Sequence, residues 1–172
     1  QIKSPGKHSM RTLEFLKGIS RTEAELIERL AQFVVASRIV RSQADHMAAR
    51  GLSFDHLLLL QELGVVFGVE ALGLKTQYKT NIAGRFMQAL VSHGKVLIVE
   101  HADEAKQLAI EIYGLTTVGA QVLGLGSFKP DLDYLRAVGK GIAAQGFEVK
   151  LCDWQQLNET QGRFTNPERI DA

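Results

Sequence analysis

Few residues of this sequence could do chemistry. Five histidines (His8, His46, His56, His93, His101), one cysteine (Cys152) and two close acid pairs (Asp103 with Glu104, Asp131 with Asp133) are the candidates. A zinc site needs Cys and His spaced so that three or four ligands converge. No two histidines stand at such a spacing on one helix, and Cys152 has no cysteine partner. His46 with His56, or His101 with Asp103 and Glu104, could meet only through the fold. Cys152 would be a nucleophile only beside a base. In "FEVKLCDW" it falls on an alternating segment that reads as a strand, where a thiol behaves as a small buried hydrophobe. The acid pairs sit beside predicted helix starts, where a carboxylate complements the helix dipole. The run Gly124-Leu125-Gly126-Ser127 resembles part of a phosphate loop, but it lacks a third glycine and follows a helix instead of a strand. "GKG" and "GRFTNP" lack the lysine-serine ending of a phosphate cradle. These residues predict no enzyme, no cofactor and no metal.

The elements that must carry these residues are plainer. Ser9 is placed to cap a helix over "MRTLEFLKG", with an apolar stripe of Met10, Leu13, Phe15 and Leu16. Ser20 and Glu23 form a capping box ahead of "RTEAELIERLAQFVVAS", with Ala24, Ile27, Leu30, Ala31 and Val34 on the core face. "SQADHMAAR" reads as a weaker helix closed by Gly51. Ser53 caps "FDHLLLLQEL", and Gly64 suits the left-handed position past its end. "VVFGVEALGL" reads as a strand whose glycine marks a bulge or close approach, and "KTQYKTNIAG" as a polar loop. "RFMQALVSHGKVLIVEHA" predicts a hairpin turning at His93-Gly94, with the glycine taking positive φ. "KQLAIEIYG" adds a short strand. Thr116 or Thr117 caps the next helix, and Gly119 permits close packing. Asp131 opens a helix through Leu132, Leu135, Val138 and Ile142, closed by Gly146, and "FEVKLCDW" is the last strand. Residues 155–172 are polar and predict a loosely held tail.

The 172 residues suit one domain, here 1–154, and 45% hydrophobic residues are enough for a core. Net charge is +1, which gives no global attraction to nucleic acid or anionic lipid. The first 51 residues hold nine Lys and Arg against five acids, and the remainder eleven against fourteen. The single cysteine suits a reducing, cytoplasmic setting, and no apolar run is long enough to span a membrane. The chain opens on Gln1 without an initiator methionine, as expected of the C-terminal part of a longer protein.

Two segments resemble the winged-helix fold. "LLLLQELGVV" is similar to the end of a recognition helix turning into the wing, and "YGLTTVGAQVL" to the segment after it. About fifty residues separate Gly64 from Leu115, so the resemblance implies a wing enlarged into a small antiparallel sheet within an α+β fold. Across most of the chain, "KSPGKHSMRTLEFLKGISRTEAELIERLAQFV", "GLSFDHLLLLQELGV", "LTTVGAQVLGL" and "LDYLRAVGKGIAAQGFEVKL" resemble an uncharacterised bacterial family known only as a domain of unknown function. That resemblance implies no activity and supplies no catalytic residues.

A DNA-reading helix needs Arg, Lys, Asn or Gln at base edges and cations at phosphates. The exposed positions of residues 53–63 offer Asp55, His56, Gln61 and Glu62, so this helix is expected to serve the core. The leading expectation is a non-enzymatic module that binds protein or a second copy of itself, with strand edges of the enlarged wing pairing across a homodimer. The alternative is a DNA-binding regulator using Arg38, Arg41 and Arg50 of the N-terminal half, and Lys75, Lys79, Arg85 and Lys95 around the wing. Lys3, Lys7, Arg11, Lys17 and Arg21 near the start would add to it.

Overall fold

In a computed structural model, which describes residues 8–172, the serine caps start the first helices where their positions predict. The Ser9 side chain accepts from Thr12 N at the head of α1 (Met10–Gly18). Ser20 and Glu23 form the full capping box of α2 (Arg21–Ala31). The buried faces match the expected stripes in part: Ile27, Leu30 and Ala31 are buried, and Phe15, Leu16 and Val34 pack against the core. In α1 the buried residue is Thr12, and Met10 is 71% exposed. The Thr12 hydroxyl donates to Gln121 Oε1 at 2.5 Å. In α2 the core side chains are Leu26, Ile27, Leu30 and Ala31, whereas Ala24 faces out.

Val35 and Arg38 then exchange two backbone hydrogen bonds (2.8 and 2.9 Å) across Ala36 and Ser37, whose φ values are +48° and +59°. This tight reversal leads into β1 (Arg38–Val40), a 3-10 turn at Arg41–Gln43, α3 (Ala44–Ala49) and α4 (Phe54–Glu62). The Ser53 side chain caps α4, and Leu57 and Leu60 are buried, so the leucine helix serves the core. Gly64, at φ +76°, turns the chain into β2 (Val66–Phe67). The long strand expected here stops after two residues. A loop at 68–74 intervenes, and "KTQY", expected as loop, is β3 (Lys75–Tyr78). Its alternation of exposed Lys75 and Gln77 with half-buried Thr76 and Tyr78 is too weakly apolar to stand out in the sequence.

The hairpin forms as β4 (Phe86–Ser92) and β5 (Lys95–His101), with Ser92 opposite Lys95. Its positive φ falls on His93 (+55°), not on Gly94 as expected. After β6 (Leu108–Leu115), the Thr116 side chain caps α5 (Thr117–Leu123) and Asp131 caps α6 (Leu132–Ala143). The chain ends in β7 (Glu148–Gln156) and β8 (Gly162–Ile170). The expected polar tail is therefore largely strand. Seven residue pairs join β8 to β7, and Ile170 is buried against Gly139 of α6.

The result is an α+β fold in which every strand pair is antiparallel. One sheet has the order β1-β6-β2, with β3 also on β6. The helices α2, α3 and α4 precede β6, which returns between β1 and β2. The enlarged wing is not one sheet. The β4–β5 hairpin joins β7 and β8 in a second sheet, order β4-β5-β7-β8. Alternation sets which face of this sheet is buried. Leu90, Leu97, Val149 and Leu151 project from one face and bury against Leu135, Val138 and Ile142 of α6 in a single core shared with the first sheet.

Candidate interaction surface

The wing base is built by one arginine. Arg41 follows β1 and sends its Nη2 across to the 68–74 loop, where it donates to the carbonyls of Gly68 (2.7 Å), Val69 (3.2 Å) and Ala71 (2.6 Å). Its guanidinium stacks 4.5 Å from the ring centroid of buried Tyr113. Gln61, at the end of α4, accepts from Val69 N at 2.9 Å. Gly68 and Gly73 hold φ near +77° and +75°, and a Cβ on Gly68 would lie 2.4 Å from Leu74 Cδ2. The close approach expected of this glycine is thus the loop folding back on itself. Fastened this way, the loop presents Leu72 with 97% of its surface in solvent. Glu70 lies beside it and takes only a long bond from Gln61 Nε2 (3.4 Å).

Next to the loop lies a groove of about 240 Å³, lined by Arg38, Phe67, Leu74, Lys75, Ile112 and Leu115 among others. Its floor is Gly114, where a Cβ would stand 2.2 Å from the Phe67 ring. The volume is below the roughly 300–1,000 Å³ of small-molecule sites and suits a single side chain. Arg38 reaches only the carbonyl of Ala36 (3.2 Å) and forms no ion pair among the described residues.

The other candidate cations are dispersed and mostly occupied. Arg50 pairs with Asp131 (2.7 Å) and Asp133 (3.0 Å), Lys75 with Glu111 (3.7 Å), Arg85 with Glu100 (3.4 Å) and Lys95 with Asp153 (2.5 Å). Lys79 is exposed. Arg21 pairs with Glu25, Arg11 and Lys17 lie on exposed positions of α1, and Lys3 and Lys7 lie outside the described residues.

The histidines hold structural positions. His46 meets buried Asp131 (3.3 Å), and His56 packs its Nδ1 against Ser53 N (3.1 Å) in the cap of α4, so the two do not converge. His101 Nδ1 accepts from Asp103 N, and its ring meets Phe147 edge-on. Asp103 and Glu104 lie in the β5–β6 turn, not at a helix start, and accept from Ala105 N and Gly84 N. Cys152 pairs with Val96 on the opposite face of the sheet from Leu97, Val99 and His101, and burial pushes its thiol up. Asp131 accepts from Tyr134 N as the cap of α6. Gly124 ends α5, as expected of a helix-ending turn, and Ser127 faces an open concavity lined by two acids, Glu25 and Glu28, and two cations, Arg29 and Lys129.

Sequence reasoning missed the three-carbonyl role of Arg41 and the protrusion of Leu72. Neither has a local signal, since both depend on the loop closing against a residue about thirty positions away. No family model, curated protein or solved structure matches the chain.

Proposed function

We propose that this chain is a non-enzymatic protein-interaction module that assembles with itself, and that its contact surface is the wing base. The observation that carries this reading is Leu72, a fully exposed leucine on a loop tied down by hydrogen bonds from Arg41 and Gln61. Preorganised apolar anchors are what interfaces concentrate binding energy in, because little ordering entropy is lost on contact. Strand-edge pairing is hindered at one edge of the second sheet, β8, whereas the β4 edge pairs only with β5. β8 carries Pro167, which lacks an N–H, and Asn166 at φ +53°, and both blunt a sheet edge. Light scattering across a concentration series tests the reading: a mass rising to twice that of one chain supports it, and one constant chain mass at about 100 μM, a concentration that populates complexes of moderate affinity, refutes it.

A second reading, a DNA-binding regulator, is favoured by the winged-helix-like order of elements. α4 carries no Lys or Arg, and four of the seven candidate cations pair with carboxylates. Fluorescence anisotropy with a random duplex at two salt concentrations decides it. Salt-sensitive binding lost in an Arg38→Ala, Arg41→Ala double variant would support it.

A further inference from the structure

We infer that two copies of this chain dock about a two-fold axis at the wing base, each placing Leu72 in the other's Phe67–Leu74–Ile112 groove with Glu70 against the partner copy's Arg38. The inference rests on the self-assembly reading and names its geometry.

Knob and hole lie side by side on one surface. Leu72 projects from the 68–74 loop, and the groove includes Phe67, which precedes that loop, and Leu74, its last residue. A protrusion adjacent to a pocket on the same face satisfies itself twice under two-fold rotation, because each copy supplies one knob and one hole. The alternative, a head-to-tail chain of copies, would leave the adjacent knob and hole facing the same way.

Charge points to the same occupant. Glu70, beside the knob, has no cation within ion-pair distance among the described residues, and Arg38, on the groove wall, has no carboxylate. The two-fold brings each to the other without breaking an existing pair. The groove has a mixed lining, Phe67, Leu74, Ile112 and Leu115 beside Ser37, Thr76, Arg38 and Lys75, which matches a leucine beside a glutamate. Its volume, about 240 Å³, holds a side chain and not a helix or strand.

Charge reversal tests the geometry, because Leu72, Glu70 and Arg38 are outside the core and their variants keep the fold, which circular dichroism checks. By sedimentation velocity at about 100 μM, the wild type is expected as a dimer. Leu72→Asp is expected to weaken self-association at least about 30-fold, the effect of a hot-spot truncation. Glu70→Arg alone and Arg38→Glu alone are each expected to be monomeric, since each places like charges together across the two-fold. An equimolar mixture of those two variants is expected to recover a dimer containing one copy of each, because both contacts are then opposite in sign. A dimer unaffected by Leu72→Asp, or a mixture that stays monomeric, overturns the docking while leaving self-assembly standing. A wild type that stays monomeric overturns both.

Discussion

His93 Nε2 lies 2.7 Å from the carbonyl oxygen of Ala31. A carbonyl only accepts, so Nε2 carries the proton, and the tip of the β4–β5 hairpin is fastened to the C-terminal end of α2, where the Ala31 carbonyl otherwise takes only a longer bond from Val34 N (3.3 Å). His93 does this at φ +55°, a conformation that disfavours a side chain, and its ring also meets Phe128. Two neighbouring bonds reinforce the junction: Ser92 Oγ donates to Val34 O (2.6 Å) and Ala36 N to Val91 O (2.8 Å).

Substitution at His93 separates the bond from the strain. His93→Gly relieves the positive φ but loses the bond, and His93→Ala loses the bond and keeps the strain. Urea unfolding should rank wild type first, His93→Gly second and His93→Ala last, with His93→Ala lower by about 1–3 kcal/mol. A His93→Ala variant as stable as the wild type would show that the bond contributes nothing.

The Ala36-Ser37 reversal is a two-residue turn with positive φ at both central residues, a conformation that favours Asn-Gly. The double substitution Ala36→Asn, Ser37→Gly should raise stability by about 1 kcal/mol, read as a higher urea midpoint at unchanged slope. A lower midpoint would mean that Ala36 and Ser37 side chains contribute packing that outweighs the relief.

Gly119 and Gly141 make opposite predictions. A Cβ on Gly119 would stand 2.1 Å from the carbonyl oxygen of Val65, a backbone atom that cannot swing aside. Gly119→Ala should therefore cost about 1–3 kcal/mol or more. Gly141, within α6, has nothing within 4 Å of its Cβ position, so Gly141→Ala should gain about 0.5–1 kcal/mol from helix propensity. Thermal melts of the two variants should shift in opposite directions.

Arg41 gathers three loop carbonyls, and its removal should free the loop before it unfolds the domain. In Arg41→Met, chymotrypsin should cut after Leu72 much faster than in the wild type, while far-ultraviolet circular dichroism stays the same. Equal cleavage rates would mean that Gln61 and the two glycines hold the loop alone.

Acid should loosen β8 first. Arg136 beside Glu168 holds its carboxyl below the usual range, and hydrogen bonds from Asn166 and Lys95 do the same for Asp153. A carboxylate with a depressed native pKa stabilises the fold above its unfolded value and loses that contribution as pH falls through the native one. Both groups are exposed, so the effect is small. Hydrogen exchange should show β8 amides losing protection on acidification below about pH 4, ahead of β5. Uniform loss across the second sheet would argue against these pairs as its local fasteners.

The sequence by itself determined the local devices. Ser9, Ser20 and Ser53 cap helices, a threonine at 116 or 117 caps another, and Gly64 and Gly146 turn chain ends, because each needs only neighbours within one turn of helix. It also determined the hairpin at 86–101, the core role of the leucine helix and the α+β class, since periodicity and turn residues report on these directly. Tertiary structure alone decided the partners. That β5 pairs with β7 instead of with the wing strands, that the polar segment 162–170 is a strand, and that "KTQY" lies on β6 all depend on edges made available by distant residues. Pairing energy comes from backbone groups that every residue carries, so composition is silent about it. The wing base belongs to the same class. Arg41 reads in sequence as a cation free to meet phosphate, and only the fold puts three carbonyls and the Tyr113 ring within its reach.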